Sequence, residues 1–437
     1  MSERSVLVIT HNYPPIQGAG VEPPLEFGRY LPEFGYRPLV LTTGRYGGLA
    51  TDEAAHVYRA GDLLHDLFRP LRRRREQGVP QEAQYRVATI ANRSPLGRLR
   101  DAVLMPDTKV GWLPAAVRLG RELIDRYQPS MIYSSSPPET NHLVGLSLHR
   151  SSGLPWVADF RDGWMFEPPN APARLRAPRR WLEGRWEAHT VGSASRITAA
   201  TDPITEDLRG RYPRAARRIE TITNGYDRLE FAERSRQRGP DGTFLLIYTG
   251  SLSASRQGTT AGAIFDGLVR LAELRPDLTV RVSFVGNISD EEKAAARARG
   301  LADSVTFLPA VSQSEAHQYQ LDADALLLVT APGQRSVATL KLFDYIGAGV
   351  PILALAQDNA AADIVRGYGL GITVPPDDPA AVATALIDLI LKQQAGTIWP
   401  GFARAQADFE WRKLTSRLAA AFDEAAAPCL SMKEDKK

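Results

Sequence analysis

A single cysteine in 437 residues, Cys429 near the C-terminal end, excludes an intramolecular disulfide and any cysteine-built metal centre. Such sparing use of cysteine fits a reducing cytosol. Long apolar runs are missing too: none approaches the roughly 20 residues that a helix needs to span a bilayer. The opening Met1-Ser-Glu-Arg runs straight into a short apolar stretch, residues 5–10, without the pattern of a signal peptide. A soluble or peripheral, cytoplasmic protein is expected. Excess charge of either sign is absent as well. The formal net charge is +3, and basic residues alternate with acidic ones except at Arg72-Arg-Arg-Arg75 and around residues 174–185. That balance argues against a dedicated nucleic-acid binder. Finally, no paired acidic motif stands ready to hold a divalent cation on a phosphate, so no metal ligands are expected.

What is present is a repeated alternation of β-rich runs and helical stretches. Val6-Leu-Val-Ile reads as a strand buried on both faces, followed by His11-Asn-Tyr-Pro-Pro-Ile-Gln-Gly18-Ala-Gly20 and a helix. Further strands are predicted at 38–43, from Met131, from Trp156, and near Ile197 and Ile219. The polar, turn-rich stretch 235–242 reads as a linker. The pattern then restarts, with strands predicted at 244–248, 280–285, 305–308, 325–329, 352–355 and 372–374. The fold class is α/β with two doubly wound units. The boundaries read as 1–234 and 243–395, followed by a last helix within 402–425 whose Trp411, Leu414, Leu418 and Phe422 form a packing stripe.

Two stretches resist this regular reading. Residues 44–92 look irregular and arginine-rich, a solvated surface segment or a flap toward an acceptor or a membrane. The stretch 174–189 alternates arginines with Trp181 and Trp186. It reads as a helix docked by its tryptophans or as an interfacial segment on the inner face of a membrane.

Chemistry concentrates at strand ends and glycine loops. Gly18, Ala19 and Gly20 would let backbone N–H groups approach a phosphate. The third glycine of a dinucleotide fingerprint is replaced by Pro23, and no acidic residue closes the next strand, so an NAD site is a weak reading. Ser134-Ser-Ser-Pro-Pro-Glu139 and Asp159-Phe-Arg161-Asp162 follow strands, where open parallel sheets bind ligands. Residues 336–355 read as loop, helix and buried strand, with Ser336 as the expected N-cap, Gly347 to Gly349 closing the helix and Pro351 stopping it. Lys341 and Asp344 share a helix face. An anion there would find N–H groups, the positive end of the helix dipole and an ammonium, while Asp344 accepts from hydroxyls. A nucleoside diphosphate has both needs; the alternative is a surface ion pair of Lys341 with Asp344, worth at most roughly 0.2–0.5 kcal/mol.

Taken together, His11-Asn-Tyr-Pro-Pro…Gly18-Ala-Gly, Pro106-Asp-Thr-Lys-Val-Gly-Trp, Ser135-Ser-Pro-Pro-Glu-Thr, Trp156-Val-Ala-Asp-Phe-Arg-Asp, Asn224-Gly-Tyr-Asp, Tyr248-Thr-Gly-Ser-Leu and Lys341-Leu-Phe-Asp-Tyr-Ile-Gly-Ala-Gly-Val-Pro resemble the family-4-like glycosyltransferases of the GT-B fold. The resemblance spans nearly the whole chain. It implies two facing Rossmann-like domains with a C-terminal helix crossing back to the first, and a role of the kind that builds polysaccharides. It further implies a UDP- or GDP-linked sugar as donor substrate rather than a cofactor, held by the second domain. The acceptor, a glycan, lipid-linked saccharide or small molecule, falls to the first, with retention of configuration and no bound metal.

By motif match, Arg256 and Lys341 neutralise the diphosphate, and Asp162 completes the candidate catalytic set. Gly18, Ala19, Gly20, Gly250, Ser251, Ser336, Val337, Ala338, Thr339, Leu340 and Asp344 are candidate donor contacts. Asp107, Glu139, Asp159 and Arg161 are candidate acceptor contacts. Two departures stand out. Ser336 occupies the first of two family acidic positions eight residues apart, and Arg161 stands where many members carry a histidine, so no catalytic histidine is assigned. A nucleotide-sugar epimerase of the same fold, or an inactive nucleotide-sugar-binding partner subunit, remains the alternative.

Overall fold

The computed structural model describes residues 4–16, 18–46, 52–64, 104–167, 173–238, 242–252, 261–330 and 333–434, without the side chains of 173–176 and 428–434. The chain divides into two compact units, residues 1–223 with 414–437, and residues 224–413.

The first unit is built on seven parallel strands: β1 (Arg4–Ile9), β2 (Tyr36–Thr43), β3 (Val57–Ala60), β4 (Met131–Ser136), β5 (Trp156–Phe160), β6 (Arg196–Ala199) and β7 (Ile219–Thr221). Their order is β3-β2-β1-β4-β5-β6-β7. The continuous apolar runs have the expected cause: Val6 to Ile9 and Met131 to Tyr133 are buried on both sides of the sheet. Helices α1 (Glu22–Tyr30), α2 (Leu113–Tyr127), α3 (Thr140–Ser152), α4 (Ala173–Ser193) and α5 (Asp202–Arg211) connect the strands. Trp112, Trp156, Phe160 and Ile197 anchor one core. Leu418 and Phe422 of the C-terminal helix are buried. The Phe422 ring meets Tyr36 at 5.1 Å and Tyr133 at 5.6 Å, edge-on. Asp423 accepts from the Tyr36 hydroxyl at 2.9 Å and pairs with Arg4 at 2.7 Å.

The second unit repeats the plan with six parallel strands, β8 (Phe244–Thr249), β9 (Val280–Val285), β10 (Val305–Leu308), β11 (Ala325–Val329), β12 (Ile352–Leu355) and β13 (Gly371–Val374), in the order β10-β9-β8-β11-β12-β13. Its helices are α6 (Leu229–Ala232), α7 (Gly262–Leu274), α8 (Asp290–Ala298), α9 (Gln313–Asp322), α10 (Leu340–Ala348), α11 (Ala360–Tyr368), α12 (Pro379–Gln394), α13 (Gly401–Phe409) and the start of α14 (Trp411–Glu434). Local chemistry sets their ends. Asp378 accepts from the N–H groups of Ala380 and Ala381, Ser312 and Glu315 form a reciprocal capping box, and Gly349 closes α10 at φ 69°.

Several expectations are corrected. Residues 44–92 are not irregular throughout: Val57–Ala60 forms the edge strand β3 beside β2. The second unit begins at residue 224, and near its start Tyr226 exchanges backbone hydrogen bonds with Phe409 and Trp411. The stretch beginning at 235 is not a free linker, because Arg236 and Arg238 both clasp the buried Asp324 at 2.6 Å, and Asp322 accepts from the Gln237 and Arg238 amides. The N-cap of α10 is Thr339, not Ser336. The carbonyls of Arg335 and Val337 accept from the Ala360 and Ala361 amides at the start of α11, which ties that loop to α11.

Candidate functional site

Each sheet reverses strand order once, between β1 and β4 and between β8 and β11, and parallel α/β sheets bind ligands outside the carboxyl ends at such a point. The residues gathered there are described for each unit in turn.

In the second unit β8 ends in Thr249-Gly250-Ser251. Gly250 has φ +104°, and a Cβ there would lie 2.6 Å from Cε of Lys341. Beneath it, Gly286 at φ +143° would drive a Cβ to 2.3 Å from the Gly250 carbonyl oxygen. Gly250 thus leaves the room that the Lys341 side chain fills, and Gly286 lets the Gly250 backbone approach. Its ammonium lies 4.1 Å from the Tyr248 ring centroid, donates to the Tyr248 hydroxyl, and is 3.5 Å from the Ser251 carbonyl oxygen. The Tyr248 hydroxyl in turn donates to that same carbonyl at 2.8 Å.

Lys341 and Asp344 therefore diverge. The lysine crosses to the β8 end, while Asp344, 21% exposed, faces His317 with 3.8 Å between Oδ1 and Nε2. Ser336, Val337 and Ala338 form the loop into α10, Thr339 caps it and Leu340 begins it. The Thr339 hydroxyl is buried, makes no cap bond and has no partner among the described residues. Arg256 lies outside the described residues.

In the first unit Arg161 is a fastener. Its Nε donates to the Ser136 carbonyl at 3.1 Å, and its two terminal nitrogens to the Gly20 and Pro137 carbonyls at 2.9 Å each. It ties the end of β5 to the loop after β4 and to the glycine loop. Gly18 has φ +139°, Ala19 follows it, and a Cβ on Gly20 would meet Asn12 Nδ2 at 2.9 Å. Asp159 is 3% exposed and accepts from Ser135 and Thr198 hydroxyls at 2.7 Å each, so it braces three strands. Burial pushes its carboxyl upward against those hydrogen bonds.

Asp107 accepts from the Thr140 amide and hydroxyl and from the Lys109 amide at 2.7–3.0 Å, which fixes the start of α3. Glu139 sits beside it. Burial, then the charges of Asp107, Asp162 and Glu183, push the Glu139 carboxyl up to about 8, so at neutral pH it holds a proton and can donate. Asp162 is exposed at the end of β5. Glu183 is held by Arg179 at 2.8 Å, and Arg179 also donates to the Pro106 carbonyl. His142 is buried, 2.9 Å from Ser134 Oγ through Nδ1, and burial lowers it to about 3, so it is neutral core. Of the two tryptophans on α4, Trp186 packs on the core, while Trp181 is 64% exposed beneath the Arg185 guanidinium.

Sequence reasoning gave no site role to Tyr248, although it heads one of the motifs behind the resemblance, nor to Glu183 or His317. Tyr248 lay inside an apolar strand run. Glu183 was one acid among arginines, and His317 lay in a polar helix without a motif. Among the described residues no three His, Cys, Asp or Glu side chains converge to hold a metal, and no helix is long and apolar enough to cross a membrane.

Residues 25–228 match the family model described as Glycosyltransferase Family 4, and residues 244–392 match Glycosyl transferases group 1. The chain is 25% identical over 301 residues to a D-inositol 3-phosphate glycosyltransferase of Catenulispora acidiphila, an alignment covering 64% of this chain and 69% of that protein. It is 26% identical over 267 residues to the enzyme of that name from Salinispora arenicola, covering 55% and 57%. Similar solved structures include sucrose-phosphate synthase from Thermosynechococcus elongatus (TM-score 0.64, 15% identity, 97% of this chain and 99% of that one) and the Anabaena protein HepE in complex with UDP-glucose (0.59, 15%, 96% and 99%). A UDP-N-acetylglucosamine 2-epimerase assignment from Listeria monocytogenes also shares the fold (0.53, 13%, 96% of each chain). Two parallel Rossmann-like sheets and two adjoining family matches lead to one conclusion: this chain is a member of the family-4-like glycosyltransferases of the GT-B fold.

Proposed function

We propose that this glycosyltransferase moves a sugar from a UDP- or GDP-linked donor, bound by the second unit, to a hydroxyl of a carbohydrate, lipid-linked or small-molecule acceptor bound by the first, with retention of configuration and without a metal. The observation that carries the reading is the Lys341 ammonium, drawn away from Asp344 and held by Tyr248 over the Gly250–Ser251 turn, at the N-terminal end of α10.

Breaking the sugar–phosphate bond places negative charge on the leaving diphosphate and positive charge on the anomeric carbon. A cation already fixed on the diphosphate side stabilises that transition state more than the ground state. Arg256 is assigned the second positive charge, so a divalent cation has no remaining task. The N–H groups opening α10 add dipoles, and Asp344 accepts from the ribose. On the acceptor side Glu139, neutral at pH 7, and the exposed Asp162 read hydroxyls, while Asp107, Asp159 and Arg161 hold the frame around them.

The test is transfer from a panel of UDP- and GDP-sugars to polyol and saccharide acceptors, with the anomeric configuration of donor and product compared by NMR. Excess chelator should leave turnover intact; loss restored by magnesium or manganese would falsify the metal-free assignment. Conversion of donor without any acceptor would favour the epimerase, and donor binding without turnover the inactive subunit.

A further inference from the structure

Helix α9 buries an unexpected pair of side chains. Its two buried residues are His317 and Gln320, each 1% exposed and one turn apart on one face. Such positions in a Rossmann-like unit are ordinarily aliphatic, because a buried polar group is costly unless it is hydrogen-bonded. Gln320 explains its own place: Nε2 donates to Thr249 Oγ1 at 3.0 Å, at the end of β8.

His317 is less satisfied. Its ring packs on Phe231 with centroids 4.5 Å apart. Nδ1 lies 3.5 Å from Glu230 Oε2, and Nε2 lies 3.8 Å from Asp344 Oδ1. Nε2 is buried and has no hydrogen-bond partner among the described residues. A separation of 3.8 Å is beyond hydrogen-bond range, yet a small rotation of the part-exposed Asp344 carboxylate closes it.

We propose that His317 is a positioning residue for the donor nucleoside: its Nε2–H takes hold of one Asp344 oxygen and turns the carboxylate so that it accepts from the vicinal ribose hydroxyls. Glu230, on the opposite ring edge, fixes the imidazole, and Phe231 fixes its plane. Nδ1 faces Glu230 and Nε2 faces Asp344, so one ring lies between the two carboxylates. An unheld aspartate would sample many orientations, and only those aimed at the ribose would read it. This inference rests on the reading of the second unit as the nucleotide-sugar half.

The experiment is calorimetric titration of the full chain with UDP, GDP and their 2′- and 3′-deoxy counterparts. Wild type should prefer the ribonucleotide by on the order of 10-fold or more, as sites built to bind a hydroxyl do. His317→Asn keeps an amide near Nδ1 but offers nothing to Asp344, and should erase the preference while leaving deoxynucleotide affinity unchanged. His317→Gln places an amide near Nε2 and should restore it. Asp344→Asn should match His317→Asn, and the double variant should add nothing further. If His317→Asn does not fold, Glu230→Gln, which loosens the ring from its part-exposed side, should weaken the preference in the same direction.

Equal loss of ribo- and deoxynucleotide affinity would make His317 merely structural and overturn the proposal. So would an undiminished preference in His317→Asn or Glu230→Gln. If wild type discriminates through Asp344 but the His317 variants do so equally well, only this inference falls. Absence of nucleotide binding in wild type would remove the proposed function and this inference together.

Discussion

The sequence context of Lys341 leaves two explanations level, and they predict different losses on its removal. A surface pair with Asp344 would cost little to remove; on the proposed reading, removing Lys341, which donates to Tyr248, takes away a fixed cation. Lys341→Ala is expected to lower single-turnover transfer at saturating donor on the order of 10²-fold or more, with the melting temperature nearly unchanged. Tyr248→Phe should reduce it less, because the ring under the ammonium remains. Arg256→Ala should resemble Lys341→Ala, and the double variant should lose less than the product of the two. Rates near wild type for Lys341→Ala would take α10 out of the active site.

Glu139 gives a second test at this scale. Its carboxyl titrates near 4.5 when unfolded and near 8 when folded, so between those values the unfolded chain is ionised while the native chain still holds the proton. The unfolded state binds fewer protons, and stability must fall as pH rises through that window. Glu139→Gln should flatten the profile of melting temperature between pH 5 and 8 and gain on wild type at pH 8. An unchanged slope would place the proton elsewhere. Lys341 stood out as a candidate because charge, spacing and helix start coincided. Tyr248 did not, because its partner lies 93 residues away and a strand run discloses only burial.

Elements were read well where burial dictates composition and poorly where a neighbour decides. The continuous apolar runs became parallel strands close to their expected limits. β3 escaped because Val57-Tyr-Arg-Ala is short and interrupted by Arg59, whose guanidinium donates to the Pro14 carbonyl. The start of α10 was misjudged for a related reason: Ser336 is a good cap by type, but its loop is committed to the first turn of α11. At the Gly250–Gly286 crossing, local backbone is decisive. Gly286→Ala would add a Cβ 2.3 Å from a backbone oxygen at φ +143°, and is expected to destabilise the unit by about 1–3 kcal/mol or more. It should also displace the Gly250 turn on which Lys341 rests, so donor affinity should fall with stability. Urea titration and donor binding of the same variant check both; a stable variant with weakened donor binding would mean that the turn moves without strain.

Across the whole chain, the stretch that composition marks as a linker is held down rather than free. The stretch from 235 looked like a tether because it is polar and turn-rich, yet arginines read as solvated can be drawn down by one buried acid, here Asp324. The separate cores make a further outcome predictable. A ligand that binds only the native form stabilises it by mass action, by about 2.7 kcal/mol at a hundredfold excess over its dissociation constant. On the proposed reading the second unit holds the nucleotide, so UDP or GDP should slow amide exchange chiefly in residues 224–413. The strongest protection is expected at the end of β8, in α9 around His317, and at the start of α10, where ordering the site restrains local opening. The strands β4 and β5 should respond instead to an acceptor. Hydrogen-exchange mass spectrometry with nucleotide alone, acceptor alone and both separates these effects. Protection confined to residues 104–167 on adding nucleotide would reverse the assignment of donor and acceptor to the two units.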